Sequence, residues 1–299
     1  MSVAQPAELK GPVAGNRHPV MAKPGAAPGM PRELEIVLNG PVGPQRLRDD
    51  TIVTNGDGWY RTLTPSASSS SANEVLFSNL NMRQSDAELD AEIDALIAEY
   101  HQLGLPLSWC VYPWTQPADL GKRLLARGAT KTDIQTFLNN TSTQLKGVAG
   151  VDVEKIAPGS TNNYEEAFEA YISIMSAGFN LPADEQAFRR RRYYQLSAGP
   201  DPCMHLFLAR CNGVVAGCCA AVIKEDSAHM TGVHVVPEFQ ARGVFLSLKA
   251  AALTFLRDLG VSLVTGHGNK QSAVWAERFG AKLIYPYSIY QLDPPMELT

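Results

Sequence analysis

The chain has 299 residues, a formal net charge of -4 at neutral pH, 45% hydrophobic residues and 19% charged ones. That length holds two domains or one large one with a proper core, and that charge offers nucleic acid no broad electrostatic attraction. No apolar run approaches the ~20 residues of a membrane span.

Residues 1–31, rich in Pro, Ala and Gly, lack the apolar core of a signal peptide and read as a disordered tail. The stretches "ELEIVLNG" (33–40) and "TIVTNGDGWYRTL" (51–63) read as short strands, and "PSASSSSAN" (65–73) as a low-complexity surface loop. Ser85 is a candidate N-cap for a helix over 86–103, where Leu89, Ile93, Leu96, Ile97 and Tyr100 recur at helical spacing. A strand over 107–112, a Pro-marked loop and a helix over 119–127 stopped by Gly128 follow, and 141–150 reads as a linker.

Beyond Val151 the pattern becomes regular: strand, two helices, three antiparallel strands turning at Asn212-Gly213 and at 225–227, helix 244–259, strand, helix, strand. The adjacent Cys218 and Cys219 then point to opposite faces of a strand. With Cys110, Cys203 and Cys211 they make an odd count with no CxxC pair, which fits reduced thiols in a cytoplasm; no Cys or His set has zinc spacing, so no metal is expected.

The turn "VVPEFQARGVFLSL" (235–248) feeds a strand into a helix N-terminus, where unpaired amides at the positive end of the dipole suit a phosphate. Gln240, Ala241, Arg242 and Gly243 are small or flexible enough to let successive amides share one concavity, and Arg242 adds a charged contact for a diphosphate oxygen.

This turn resembles motif A of the GNAT acetyltransferases, in which Gln or Arg, two residues, Gly, one residue and Gly or Ala follow one another. Gln240 and Gly243 match and Phe245 departs. A second marker is similar downstream: Asn269 is followed by Ser272, then by Ala276 in place of the family's tyrosine, then by Gly280. The resemblance implies a mixed α/β sheet with the GNAT acyl-CoA acyltransferase fold in residues 146–299, and a degenerate GNAT-like domain in 32–145 with no phosphate turn.

It also implies acetyl-CoA or another acyl-CoA as co-substrate, bound by Val235, Val236, Gln240, Ala241, Arg242, Gly243, Val244, Phe245, Asn269 and Ser272. The alternative reading of Asn269 and Ser272 is a helix N-cap and a first-turn polar residue.

An acceptor amine must lose a proton before it attacks a thioester. Counting back from Gly243, His229 falls where many family members carry a catalytic glutamate; its other reading is a half-exposed strand histidine. His234 and His267 are alternatives. Tyr287, with Tyr285 and Tyr290, is a candidate acid in place of the missing tyrosine. The run from Arg189 to Arg192 reads as a solvated face or as a contact for an acidic substrate. Trp109, Tyr112 and Trp114 read as core or as a pocket wall.

The expected function is transfer of an acetyl group to an amine of a small molecule or peptide by direct attack. A silent coenzyme A-binding module and an acyltransferase fed by an acyl carrier protein stay open, and no nucleic acid or membrane partner is expected.

Overall fold

The computed structural model describes residues 31–56, 58–80, 84–159, 163–225 and 227–295; the expected tail lies almost wholly outside them. It opens on helix α1, Arg32–Asn39, where a strand was expected. Leu34, Val37 and Leu38 recur at helical spacing, and Glu33 and Glu35 sit at the positive end of the dipole.

Strands β1, Ile52–Gly56, and β2, Trp59–Leu63, come next. The expected surface loop forms a 3-10 turn at Ser70–Ala72 and buries Ala67, Ala72 and Asn73, because the Asn73 side chain ties the loop together through Thr64 N–H and the Ala67 carbonyl. It leads into β3, Glu74–Phe77, which the sequence does not announce.

Helix α2, Asp86–His101, starts on a reciprocal capping box between Ser85 and Glu88. Strand β4, Leu107–Val111, helix α3, Leu120–Ala126, and an unexpected long strand β5, Thr130–Asn140, complete this half. The second half runs β6 Val151–Ile156, α4 Tyr164–Gly178, α5 Ala183–Ser197, β7 Met204–Cys211, β8 Val214–Lys224, β9 Ser227–Val235, α6 Val244–Asp258, β10 Leu263–Gly268, α7 Lys270–Arg278 and β11 Lys282–Leu292.

All strands join one mixed sheet in the order β1-β2-β3-β4-β11-β5-β10-β9-β8-β7-β6. The two halves repeat one plan: three antiparallel strands (β1–β3, β7–β9), a helix (α2, α6), a parallel strand (β4, β10), a helix (α3, α7) and a last strand (β5, β11).

Their last strands are exchanged. β5 pairs antiparallel with β10 of the other half, and β11 pairs antiparallel with β4, while β5 and β11 also pair with each other. The exchange makes the sheet continuous across the junction.

One core surrounds Trp109 and Tyr100 in the first half, and two more cover the faces of the second half. Cys219 belongs to one of these and Cys218 to the other, on opposite faces as expected. A fourth core, with Val37, Leu38, Tyr112, Tyr285 and Tyr287, joins the halves under α1.

Lys224 on β8 holds α1 in place by donating to the carbonyls of Asn39 and Val42 at the helix's negative end. Lys224→Met should orphan both carbonyls and lower the unfolding free energy by roughly 2 kcal/mol, read as an earlier urea midpoint.

Candidate functional site

Strands β8 and β9 slip register where Cys218 pairs with His234 but Ala220 pairs with Thr231, so β9 carries one extra residue. Gly232 sits there at φ +60, the left-handed conformation glycine reaches at no cost. This bulge re-aims β9: its parallel pairing with β10 begins at Ser227–Leu263 and ends at His229–Thr265. Past that point β10 runs on beside β5, and a fork opens between β9 and β10.

A cavity of about 260 Å³ lies at the fork, lined by His229, Thr231 and Gly232 of β9 and by His267 and Gly268 of β10. Tyr287 closes it from β11, Arg189 and Tyr193 from α5, and Gln45, Arg46 and Glu74 from the first half.

His229 is buried, 3% exposed, which overturns its reading as a half-exposed strand histidine. Its Nδ1 lies 2.9 Å from Thr265 Oγ1, which is also 3.3 Å from the Ala228 carbonyl. With the threonine hydroxyl donating to that carbonyl, Nδ1–H donates to the threonine and the lone pair is on Nε2. Gly40, at the end of α1, packs behind this bond so closely that a Cβ there would stand 2.7 Å from Thr265 Oγ1.

Burial, then the nearby His267, Lys224 and Arg46, push the His229 pKa well below its ordinary 6.5. Burial, then Arg46 and Lys224, push His267 down to about 4. The two rings meet edge to face at 4.6 Å.

Outside the site, burial also pushes His205 down to about 4. All three histidines are neutral at pH 7. Between about 6.5 and 4 the unfolded chain binds protons that the folded chain refuses, so stability falls as pH falls through that window. The loss should reach up to about 3 kcal/mol for each of His205 and His267, measurable as urea midpoints stepped from pH 7 to pH 4.

At the far end of β9, a 3-10 turn at Pro237–Phe239 leads to Ala241 at φ +60 and Gly243 at φ +80. Left-handed residues interleaved with ordinary ones aim successive amides into one concavity, and no side chain caps the N-terminus of α6. Gln240, Ala241 and Arg242 are exposed there, with the Arg242 guanidinium 5.6 Å over the Phe239 ring. Val244 is buried beneath them and Phe245 packs against Phe279 at 6.0 Å.

The Val236 N–H is taken by the Ala216 carbonyl and its carbonyl by Phe239 N–H, while Val235 faces Gly217 across the strand pair. Asn269 caps α7 by accepting from Ser272 N–H at 2.9 Å, so the capping reading of this pair is realised; both residues remain exposed. Ala276 is buried, and its carbonyl accepts from Lys249.

Other candidates fall elsewhere. His234 packs against Phe179 at the end of α4, and Tyr290 packs in the first core. Tyr285 lies in the core between the halves. Trp109 is fully buried and Tyr112 stacks on Tyr287 at 5.1 Å; neither Trp109, Tyr112 nor Trp114 lines the cavity.

Of the arginine run, Arg190 pairs with Glu169, Arg191 reaches Asp49 and Arg192 donates to the Pro44 carbonyl, while Arg189 alone of the four reaches the cavity and pairs with Glu185 there. The sequence reading missed Gln45, Arg46, Glu74 and Glu185, since no motif surrounds them.

The family model described as Acetyltransferase (GNAT) family matches residues 165–281. The chain carries a GNAT-family domain. Among solved structures, a GCN5-related N-acetyltransferase from Kribbella flavida aligns at TM-score 0.61 and 15% identity, covering 87% of this chain and 94% of that one. A conserved protein of unknown function from Staphylococcus epidermidis aligns at 0.61 and 12%, covering 85% and 98%.

A tandem GNAT protein from the clavulanic acid biosynthesis pathway aligns at 0.50 and 15%, covering 92% of each chain. At these identities the likeness establishes the fold, a tandem GNAT arrangement over most of the chain. A search of curated proteins found no match. The match over 165–281 supports an acyl-CoA-dependent acyltransferase in general terms for the second half. Among the described residues no helix is long and apolar enough to cross a membrane.

Proposed function

We propose that the protein is an N-acetyltransferase in which acetyl-CoA enters the β9–β10 fork and a small amine meets it in the cavity at His229. The observation that carries this reading is the fork itself. One strand leads from a buried histidine with a free ring nitrogen, past an unpaired strand edge, to a turn built from two left-handed residues.

In this reading the amides of Ala241, Gly243, Val244 and Phe245, with the Gln240 and Arg242 side chains, hold the diphosphate, since the Gln240 and Arg242 N–H groups already go to the Pro237 and Phe239 carbonyls. The β9 edge up to Val235 and Val236 flanks the pantetheine. Val236 already spends its N–H on β8 and its carbonyl accepts from Phe239 N–H, so a contact from it uses that carbonyl's second lone pair. Asn269 and Ser272 cap the helix beside the donor and lend polar contacts at its surface.

His229 Nε2 takes a proton from the acceptor ammonium, directly or through one water. The neutral amine attacks the thioester carbonyl; the nitrogen of the tetrahedral adduct gives its extra proton to water as the C–S bond breaks, leaving the neutral amide and the coenzyme A thiolate. Tyr287 lines the same cavity, but burial pushes its phenol well above the ordinary 10, so it keeps its proton. Its role is to donate a hydrogen bond toward the leaving sulfur, while the thiolate, a good leaving group, takes its proton from solvent.

An acyl-cysteine route is disfavoured because burial pushes the Cys218 thiol up to about 12 and Cys219 well above 9.

Calorimetric titration with acetyl-CoA, followed by thiol release with primary amines, tests the reading. Tight binding with thiol release is the expected result; no binding of any coenzyme A thioester overturns it. Binding without release to any amine would make the chain a coenzyme A-binding module instead.

A further inference from the structure

Four charged residues line the cavity, two guanidiniums and two carboxylates, and the first half supplies one of each. Arg46 gives one N–H to Glu74 at 3.0 Å and another to the Ser71 carbonyl. Arg189 binds Glu185 at 2.7 Å, and Glu185, 3% exposed, also takes Arg48 at 2.7 Å. A guanidinium has five donors in a fixed fork, so Arg46 retains N–H groups beyond these partners for a planar anion.

Beside it, Gln45 is 5% exposed and its Oε1 has no hydrogen-bond partner, which leaves a buried acceptor waiting for a donor. Arg46 lines the same cavity as His229 and His267. An anion held by Arg46 and an amine placed at His229 would therefore share that cavity.

The cavity has room for roughly nine water volumes, which suits a compact molecule. A plain cationic amine would meet two guanidiniums with nothing to offer them. An apolar amine would strand four charges away from water. A molecule carrying both an amine and an anion, a short distance apart, answers each group.

Resting on the acetyltransferase reading, we propose that the acceptor is an α-amino acid or a close amino-acid analogue. Its carboxylate is received by Arg46, its amine lies at His229, and its side chain points toward Arg189, Glu185 and Tyr193. The first half thereby acquires a function: it supplies Gln45, Arg46 and Glu74 and so selects the acceptor.

The test uses the full chain with acetyl-CoA and five L-amino acids (alanine, leucine, phenylalanine, glutamate, arginine), each as free acid and as carboxamide. Thiol release and product mass are followed. At least one free acid should exceed its carboxamide in kcat/KM by about tenfold or more. Arg46→Gln should raise KM for that acid at least about tenfold while changing KM for its amide by less than about threefold.

Because this change leaves Glu74 unpaired, the Arg46→Gln/Glu74→Gln double variant serves if the single one fails to fold. Carboxamides used as well as the acids, or an Arg46→Gln effect equal on both, overturn the proposal. If nothing in the panel is acetylated, calorimetry of the free acids on the coenzyme A-loaded protein decides: no binding overturns the amino-acid proposal. Binding of acids but not amides sustains it while the transferase reading falls. Acetyl-CoA that fails to bind at all counts against the transferase reading alone.

Discussion

Replacing His229 with alanine is expected to lower kcat/KM for acetyl transfer roughly 100- to 1,000-fold while leaving acetyl-CoA affinity within about threefold. The residue stands where β9 and β10 stop pairing, and its hydrogen bond to Thr265 leaves Nε2 as the proton acceptor. His229→Asn separates rate from folding: its side-chain N–H can keep the bond to Thr265 but offers no basic nitrogen. It should fold and bind acetyl-CoA like the parent while losing as much rate as the alanine.

The pH profile carries a second signature. Burial and the neighbouring His267, Lys224 and Arg46 hold the His229 pKa well below 6.5, so the ring stays in its basic form on acidification. The acid limb of kcat/KM should then follow protonation of the acceptor amine, shifting when an amine of different pKa is used, and should show no fixed inflection near 6.5. A base with so low a pKa holds the proton only briefly, which fits a relay that passes it through the cavity to solvent. If His229→Ala retains turnover within about threefold, the base is another group, and His267 at 4.6 Å is the next to change.

Legibility from the sequence followed the range of the interactions. The second half could be read because its signals are local: the asparagine-glycine hairpin, the helical spacing over 244–259 and the turn at 240–243 act within a few residues. α1 was misread because Glu33, Leu34, Glu35 and Ile36 alternate like a strand, and only the Val37-Leu38 pair completes a helical face.

β5 left no signal. Its stretch "TKTDIQTFLNN" is polar at one end, and it becomes a strand because β10 and β11, more than a hundred residues away, flank it on both sides. The turn at 240–243 was visible as a pattern, whereas the cavity at His229 was not. Gln45, Arg46, Glu74 and Glu185 come from separate elements that only the joined sheet brings to His229. His229 was found by counting back from Gly243, but its burial, which sets its chemistry, depends on α1 and Gly40, a segment that reads as a strand.

Gly243→Val should weaken acetyl-CoA roughly 100-fold, a loss of about 2.7 kcal/mol. Two separate effects combine. Gly243 holds φ +80, where a β-branched residue costs about 1–2 kcal/mol or more. A Cβ there would also stand 2.4 Å from Val148 Cγ2, far inside contact distance, and Val148 is held by its own N–H to Ser247 Oγ at 2.9 Å. The turn cannot keep its amides converged against both.

The two effects can be told apart. Val148→Ala opens the space without altering the backbone, so Gly243→Ala paired with Val148→Ala should recover part of the affinity that Gly243→Ala alone loses, and the remainder measures the left-handed strain. Urea midpoints distinguish a deformed turn from an unfolded domain: beyond Val244 in its first turn, α6 packs Leu248, Leu253 and Leu256 into the core, so unfolding should shift less than binding. Unchanged acetyl-CoA affinity in a folded Gly243→Val protein would remove the diphosphate from this turn and, with it, the reason for placing the donor in the fork.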